Sequence, residues 1–81
     1  MNESERIELL VVIDKRDPET ERDRADEVSG IVGADLASMD EMSDGIDLLF
    51  YFDTVEEAEE ASARLNDVQY VASYIVNAMT L

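Results

Sequence analysis

Residues 6–14, RIELLVVID, are apolar on both sides of a two-residue alternation. Ile7, Leu9, Val11 and Ile13 fall on one face of a strand, while Leu10 and Val12 share the other with Glu8 and Asp14. A strand at the rim of a sheet has no use for two apolar faces, so this segment belongs near the centre. Residues 46–53, IDLLFYFD, repeat the pattern, with Ile46, Leu48, Phe50 and Phe52 on one face and Asp47, Leu49, Tyr51 and Asp53 on the other. Two such strands in 81 residues require a sheet with both strands inside it.

Between them lies DPETERDRADEVSGIVGA. Asp17 is placed to cap a helix with Pro18 at its first position, where the missing N–H costs nothing. Ala25, Val28, Ser29 and Val32 recur at helical spacing, and Gly33 is a suitable stop. The spacing predicts a helix over about 18–31, with Glu19, Asp23, Asp26 and Glu27 on its outer side. Residues 34–42 suit a short edge strand, and Ser43, Asp44 and Gly45 a turn, with Gly45 free to take positive φ. Thr54 and Glu57 have the spacing of a capping box ahead of an inward stripe of Ala58, Ala61, Ser62 and Leu65. That second helix should end near 66–67. Residues 69–79, QYVASYIVNAM, are rich in β-branched and aromatic residues and predict a last strand.

The order β-α-β-β-α-β over residues 1–81, one domain, resembles the ferredoxin-like pattern of two split β-α-β units. The resemblance implies an α+β fold, a four-stranded antiparallel sheet of order 4-1-3-2, and both helices on one face. The other face is then open. It should carry Leu10, Val12, Leu49, Tyr51 and, from the last strand, Tyr70 and Tyr74. So much apolar and aromatic surface exceeds what a lone monomer exposes. It would serve as a homodimer face, a partner site or the floor of a ligand pocket, the homodimer being the first expectation.

Chemistry is thinly represented. Without cysteine or histidine the chain lacks a thiolate, a neutral-pH general base and the usual transition-metal ligands. A non-enzymatic protein with no cofactor and no metal is expected. Residues 40–51 place Asp40, Asp44 and Gly45 as in a calcium loop, but Met42 and Tyr51 stand where ligands are needed. LLFYF followed by a helix resembles part of an RNA-recognition motif. Phe50 and Phe52 face the wrong way for base stacking, and no base lies between Gly33 and Arg64. No apolar run approaches the roughly 18–20 residues of a membrane span, and the polar start is unlike a signal peptide, so a cytoplasmic protein is expected.

Charge is the strongest functional signal. Twenty-one acids against six bases give a net −15 and a pI near 4.1, which argues against direct nucleic-acid binding and against anionic membranes. The net is −1 over residues 1–16, −4 over 17–33, −6 over 34–53 and −4 over 54–81. In the expected fold the helix surfaces and the hairpin that hold this excess lie close together. Glu56 and Glu57 gain from the positive end of their helix, whereas Glu59 and Glu60 repel Glu56 with only Arg64 in return.

The rows Glu19, Asp23, Asp26, Glu27 and Glu56, Glu59, Glu60 resemble those of small phage-encoded inhibitors that mimic DNA, anti-CRISPR proteins among them. The resemblance implies a partner with a basic nucleic-acid-binding surface, which these carboxylates would occupy and block. Association would be fast and salt-sensitive. The same composition, with one lysine against five arginines, also describes a surface adapted to concentrated salt. On that alternative the function moves to the open sheet face, as a dimerisation or small-ligand regulatory module.

Overall fold

The computed structural model describes residues 5–15 and 17–80. They form β1 (Glu5–Ile13), α1 (Pro18–Val32), β2 (Ser38–Glu41), β3 (Ile46–Phe52), α2 (Val55–Ala63) and β4 (Val71–Thr80). The antiparallel sheet runs β2-β3-β1-β4, the expected ferredoxin-like order with the two strongest strands inside.

One side of that sheet makes the core. Ile7, Leu9, Val11 and Ile13 of β1 and Ile46, Leu48 and Phe50 of β3 are buried there. Ala25, Val28 and Val32 of α1 and Ala61 of α2 join most of them in one cluster, so both helices cover the same face. Leu65, just past α2, completes it.

Local chemistry sets the helix ends. The Thr20 N–H donates to Asp17 Oδ1 at 3.0 Å, and the Glu57 N–H to Thr54 Oγ1 at 3.1 Å. Gly33 takes the left-handed conformation, φ +74°, and its N–H closes α1 on the Ser29 carbonyl. The C-terminus of α1 has no basic side chain in its last turn. Arg64 supplies one from beyond α2, its Nη1 donating to the Ile31 carbonyl at 3.3 Å.

Three local expectations are corrected. β2 is only four residues long, and ahead of it a single bond, from the Ala37 N–H to the Leu49 carbonyl, ties the chain to β3. α2 ends at Ala63, and residues 64–66 tighten onto carbonyls three residues back. Gly45 does not take positive φ. It is required because a Cβ there would stand 2.6 Å from the Ile13 carbonyl oxygen.

Candidate functional site

The register fixes which side chains share the uncovered face. Directly opposed residues of an antiparallel pair point the same way. Opposite the buried row therefore lie Leu10 and Val12 of β1, and Asp47, Leu49 and Tyr51 of β3. Three rows cross the sheet. Ser38, Leu49, Leu10 and Ile75 form one, Asp40, Asp47, Val12 and Ser73 the next, and Tyr51, Glu8 and Asn77 the third. The first is apolar across the three long strands, and it ends on Ile75, which is 53% exposed. Tyr51 is 38% exposed beside it.

The assignment of Tyr70 and Tyr74 to this face is corrected. Tyr74 is the partner of Val11 and packs against the core, its hydroxyl donating to Asn66 Oδ1 at 2.5 Å. Tyr70 lies on the helix side as well: its hydroxyl donates to the Glu27 carboxylate of α1, and the Arg24 guanidinium sits 4.5 Å from its ring centroid. Burial, then the hydrogen bond to Glu27, push the Tyr70 phenol well above its ordinary pKa, against the opposing influence of Arg24.

The physical reason is the register: Tyr74 stands opposite buried Val11, and a bulge brings Val71 to the same side. Val12 pairs with Ser73 but Ile13 with Val71, so Ala72 is an extra residue on β4. Val71 and Tyr74, three apart, both face the helices because of it. Ile75, opposite Leu10, points to the open face.

The acids are distributed more widely than expected. Glu19, Asp23, Asp26, Glu27, Glu56, Glu59 and Glu60 are all exposed on the helix layer. Glu27 is engaged by Tyr70, and Glu21 is buried at 6% exposure in line with Ala25 and Val28. The hairpin divides its charge: Glu41, opposite buried Ile46, lies on the helix side and pairs with Lys15 at 3.2 Å. Asp40 and Asp47 stand opposite each other on the open face, with Glu8 on the same side. Carboxylates thus cover both sides of the sheet.

A cleft of about 410 Å³ opens between the end of α1 and α2, lined by Gly33, Phe52, Asp53, Glu57, Glu60 and Arg64 among others. Among the described residues its one cation is Arg64, which already holds the Ile31 carbonyl. Among the described residues no three His, Cys, Asp or Glu side chains converge on a metal-sized site, and no helix is long and apolar enough to cross a membrane. Sequence reasoning missed Arg24, Glu21 and Ile75. The first two were legible, since Glu21, Ala25 and Val28 follow helical spacing.

No family model and no curated protein matches the chain. Solved structures do. PH0061 is similar with a TM-score of 0.51 at 14% identity, covering 91% of this chain and 51% of that one, so this chain spans about half its length. A NIPSNAP family protein of unknown function from Agrobacterium tumefaciens gives 0.51 at 12% identity, covering 100% of this chain and 91% of the other. A dimeric ferredoxin-like protein of unknown function from Thermobifida fusca aligns at 0.44 with 10% identity over 96% and 92% of the two chains. At these identities the likeness is one of architecture, and the architecture is ferredoxin-like.

Proposed function

We propose that this protein is a non-enzymatic association module that pairs with a second copy through its open sheet face. The observation that carries this reading is the apolar row Leu49, Leu10, Ile75, left uncovered in a chain of net charge −15. A small domain hides only about 60% of its chain surface on folding, so covering that row is worth more here than in a larger protein. Strand spacings of about 4.8 Å and rises of about 3.4 Å give the face roughly 450 Å² per copy. A standard interface buries about 800 Å² per partner, so the pair belongs with weak, condition-dependent complexes.

Salt is the condition. Glu8, Asp40 and Asp47 share the face with the apolar row, and two copies bring like charges together. Screening removes that repulsion and leaves the apolar contact, so association should tighten from low to molar potassium chloride. Dispersal of acids on both sides of the sheet supports a surface suited to concentrated salt. Sedimentation equilibrium across a potassium chloride series tests the proposal. A chain that stays monomeric at every salt concentration defeats it.

A second reading is favoured by one observation: Glu19, Asp23 and Asp26 on α1 and Glu56, Glu59 and Glu60 on α2 are all exposed on one layer. These carboxylates would occupy a basic nucleic-acid-binding surface of a partner and block it, as in the phage-encoded DNA mimics. Such binding weakens with salt, the opposite sign to the pairing of sheets. Retention by arginine- and lysine-rich nucleic-acid enzymes at low ionic strength, reduced by Glu59→Gln with Glu60→Gln, would support it. No retention by any of them would remove it.

A further inference from the structure

All 21 acids and 6 bases of the chain lie at or before Asp67, and residues 68–81 carry no charge. One residue in three is charged overall, so a run of this length is a feature to be explained. The fold places it at an edge. β4 spans ten residues, Val71–Thr80, and among the described strands it pairs only with β1. The opposite edge, β2, is short and carries Asp40 and Glu41, both standard protections against pairing with another chain. β4 has neither charge nor proline.

Packing against the core explains only the inward residues Val71, Tyr74 and Val76. The outward ones are Ser73, Ile75 and Asn77, whereas the neighbouring strands carry Glu8 and Asp47 on that same side. A surface built only for solvation in this protein would place carboxylates on β4 too. Their absence, together with a regular row of backbone donors and acceptors beyond the bulge, from Ser73 to Thr80, fits a strand partner.

We propose that β4 pairs antiparallel with β4 of a second copy, joining two sheets into one of eight strands. A two-fold axis sets the uncharged segment against itself. Elsewhere two chains of net −15 cannot align ten residues of backbone without carboxylates facing one another. A basic partner would seek the acids and so has no reason to choose this edge. The pairing leaves both helix layers on one side and makes the two open faces continuous, doubling the apolar row. It uses backbone groups and stands independently of the face-to-face pairing proposed above.

Amide hydrogen exchange on the full chain in molar potassium chloride, at low and high protein concentration, tests it. Alternate β4 amides, those directed away from β1, should exchange at least about tenfold more slowly at the higher concentration. Rates independent of concentration overturn the proposal. Leu49→Thr, which weakens the open face without touching β4, should leave this protection in place; its loss in that variant would likewise overturn edge pairing as a separate contact. Single proline substitutions from Ser73 to Val76 give a second measurement. One alternate set should retain fold by circular dichroism yet raise the association Kd about tenfold or more, since proline removes an edge donor. Unchanged assembly in every folded proline variant refutes the strand pairing, and leaves the face reading to be judged by its own salt series.

Discussion

Ile75→Thr is the sharpest probe of the open face. Threonine keeps the β-branched shape that suits a strand and removes most of the apolar contact. Ile75 is 53% exposed in the single chain. Fully burying an isoleucine contributes about 1.5–3 kcal/mol, so covering the remaining half contributes roughly 0.8–1.6 kcal/mol per copy. In a two-fold pair the contact occurs twice, which gives roughly 1.6–3.2 kcal/mol, or about 15- to 200-fold in Kd. Ordering costs at the interface make the lower end the better expectation. Folding stability of the isolated chain should fall by about 0.7–1.4 kcal/mol at most, the share of the side chain already covered there. Sedimentation equilibrium in molar potassium chloride measures the first quantity and urea unfolding the second. Val55→Thr is the control, because Val55 is 39% exposed on the helix layer and belongs to neither proposed contact. An unchanged Kd for Ile75→Thr refutes the reasoning, as does an equal loss in Val55→Thr.

Asp47→Asn should stabilise the fold by about 0.2–1 kcal/mol at low salt, because it removes a carboxylate directly opposite Asp40. The gain should fade in molar salt, where the screening length drops to about 3 Å, and urea melts at both concentrations check this. Gly45→Ala should cost about 1–3 kcal/mol in the same assay, because its Cβ meets the Ile13 carbonyl at 2.6 Å. Gly30→Ala meets nothing within 4 Å and should be stabilising. Tyr70 keeps its proton in the folded state at pH values where the unfolded chain, with a pKa near 10.0, releases it. Its contribution is therefore full below that pH and lost as pH rises past it. Tyr70→Phe should flatten part of the alkaline decline in melting temperature between about pH 9 and 11, and an unaltered slope would contradict the pairing of a half-buried phenol with Glu27.

The two candidate surfaces differ in the kind of energy they offer. The helix layer attracts an oppositely charged partner at long range, and salt weakens it. The sheet face and the β4 edge act on contact, through apolar area and backbone hydrogen bonds, and salt strengthens them by silencing the carboxylates around them. One salt series therefore separates the readings by the sign of the response.

Element types and their order were legible from local pattern alone. Two strands apolar on both faces had to be central, and the cap at Asp17, the cap at Thr54 and the stop at Gly33 act within a few residues of their own position. The acids of α1 and α2 other than buried Glu21 were likewise assignable to the outer side by helical spacing. What the tertiary structure decided was side. At the end of the chain, Val71, Ser73 and Ile75 alternate with Tyr70, Ala72, Tyr74 and Val76, and each set holds apolar residues, so period alone does not say which one faces the helices. Pairing with β1 makes the choice, setting Tyr74 opposite Val11 and Ile75 opposite Leu10, and the bulge at Ala72 brings Val71 to the core side as well. Gly45 was legible as a turn glycine, but its reason, a neighbouring strand's carbonyl, exists only once β1 and β3 are paired. The uncharged run after Asp67 was present in the sequence from the start. Only its position at an unprotected sheet edge gives it meaning, because the same run in a central strand would simply be core.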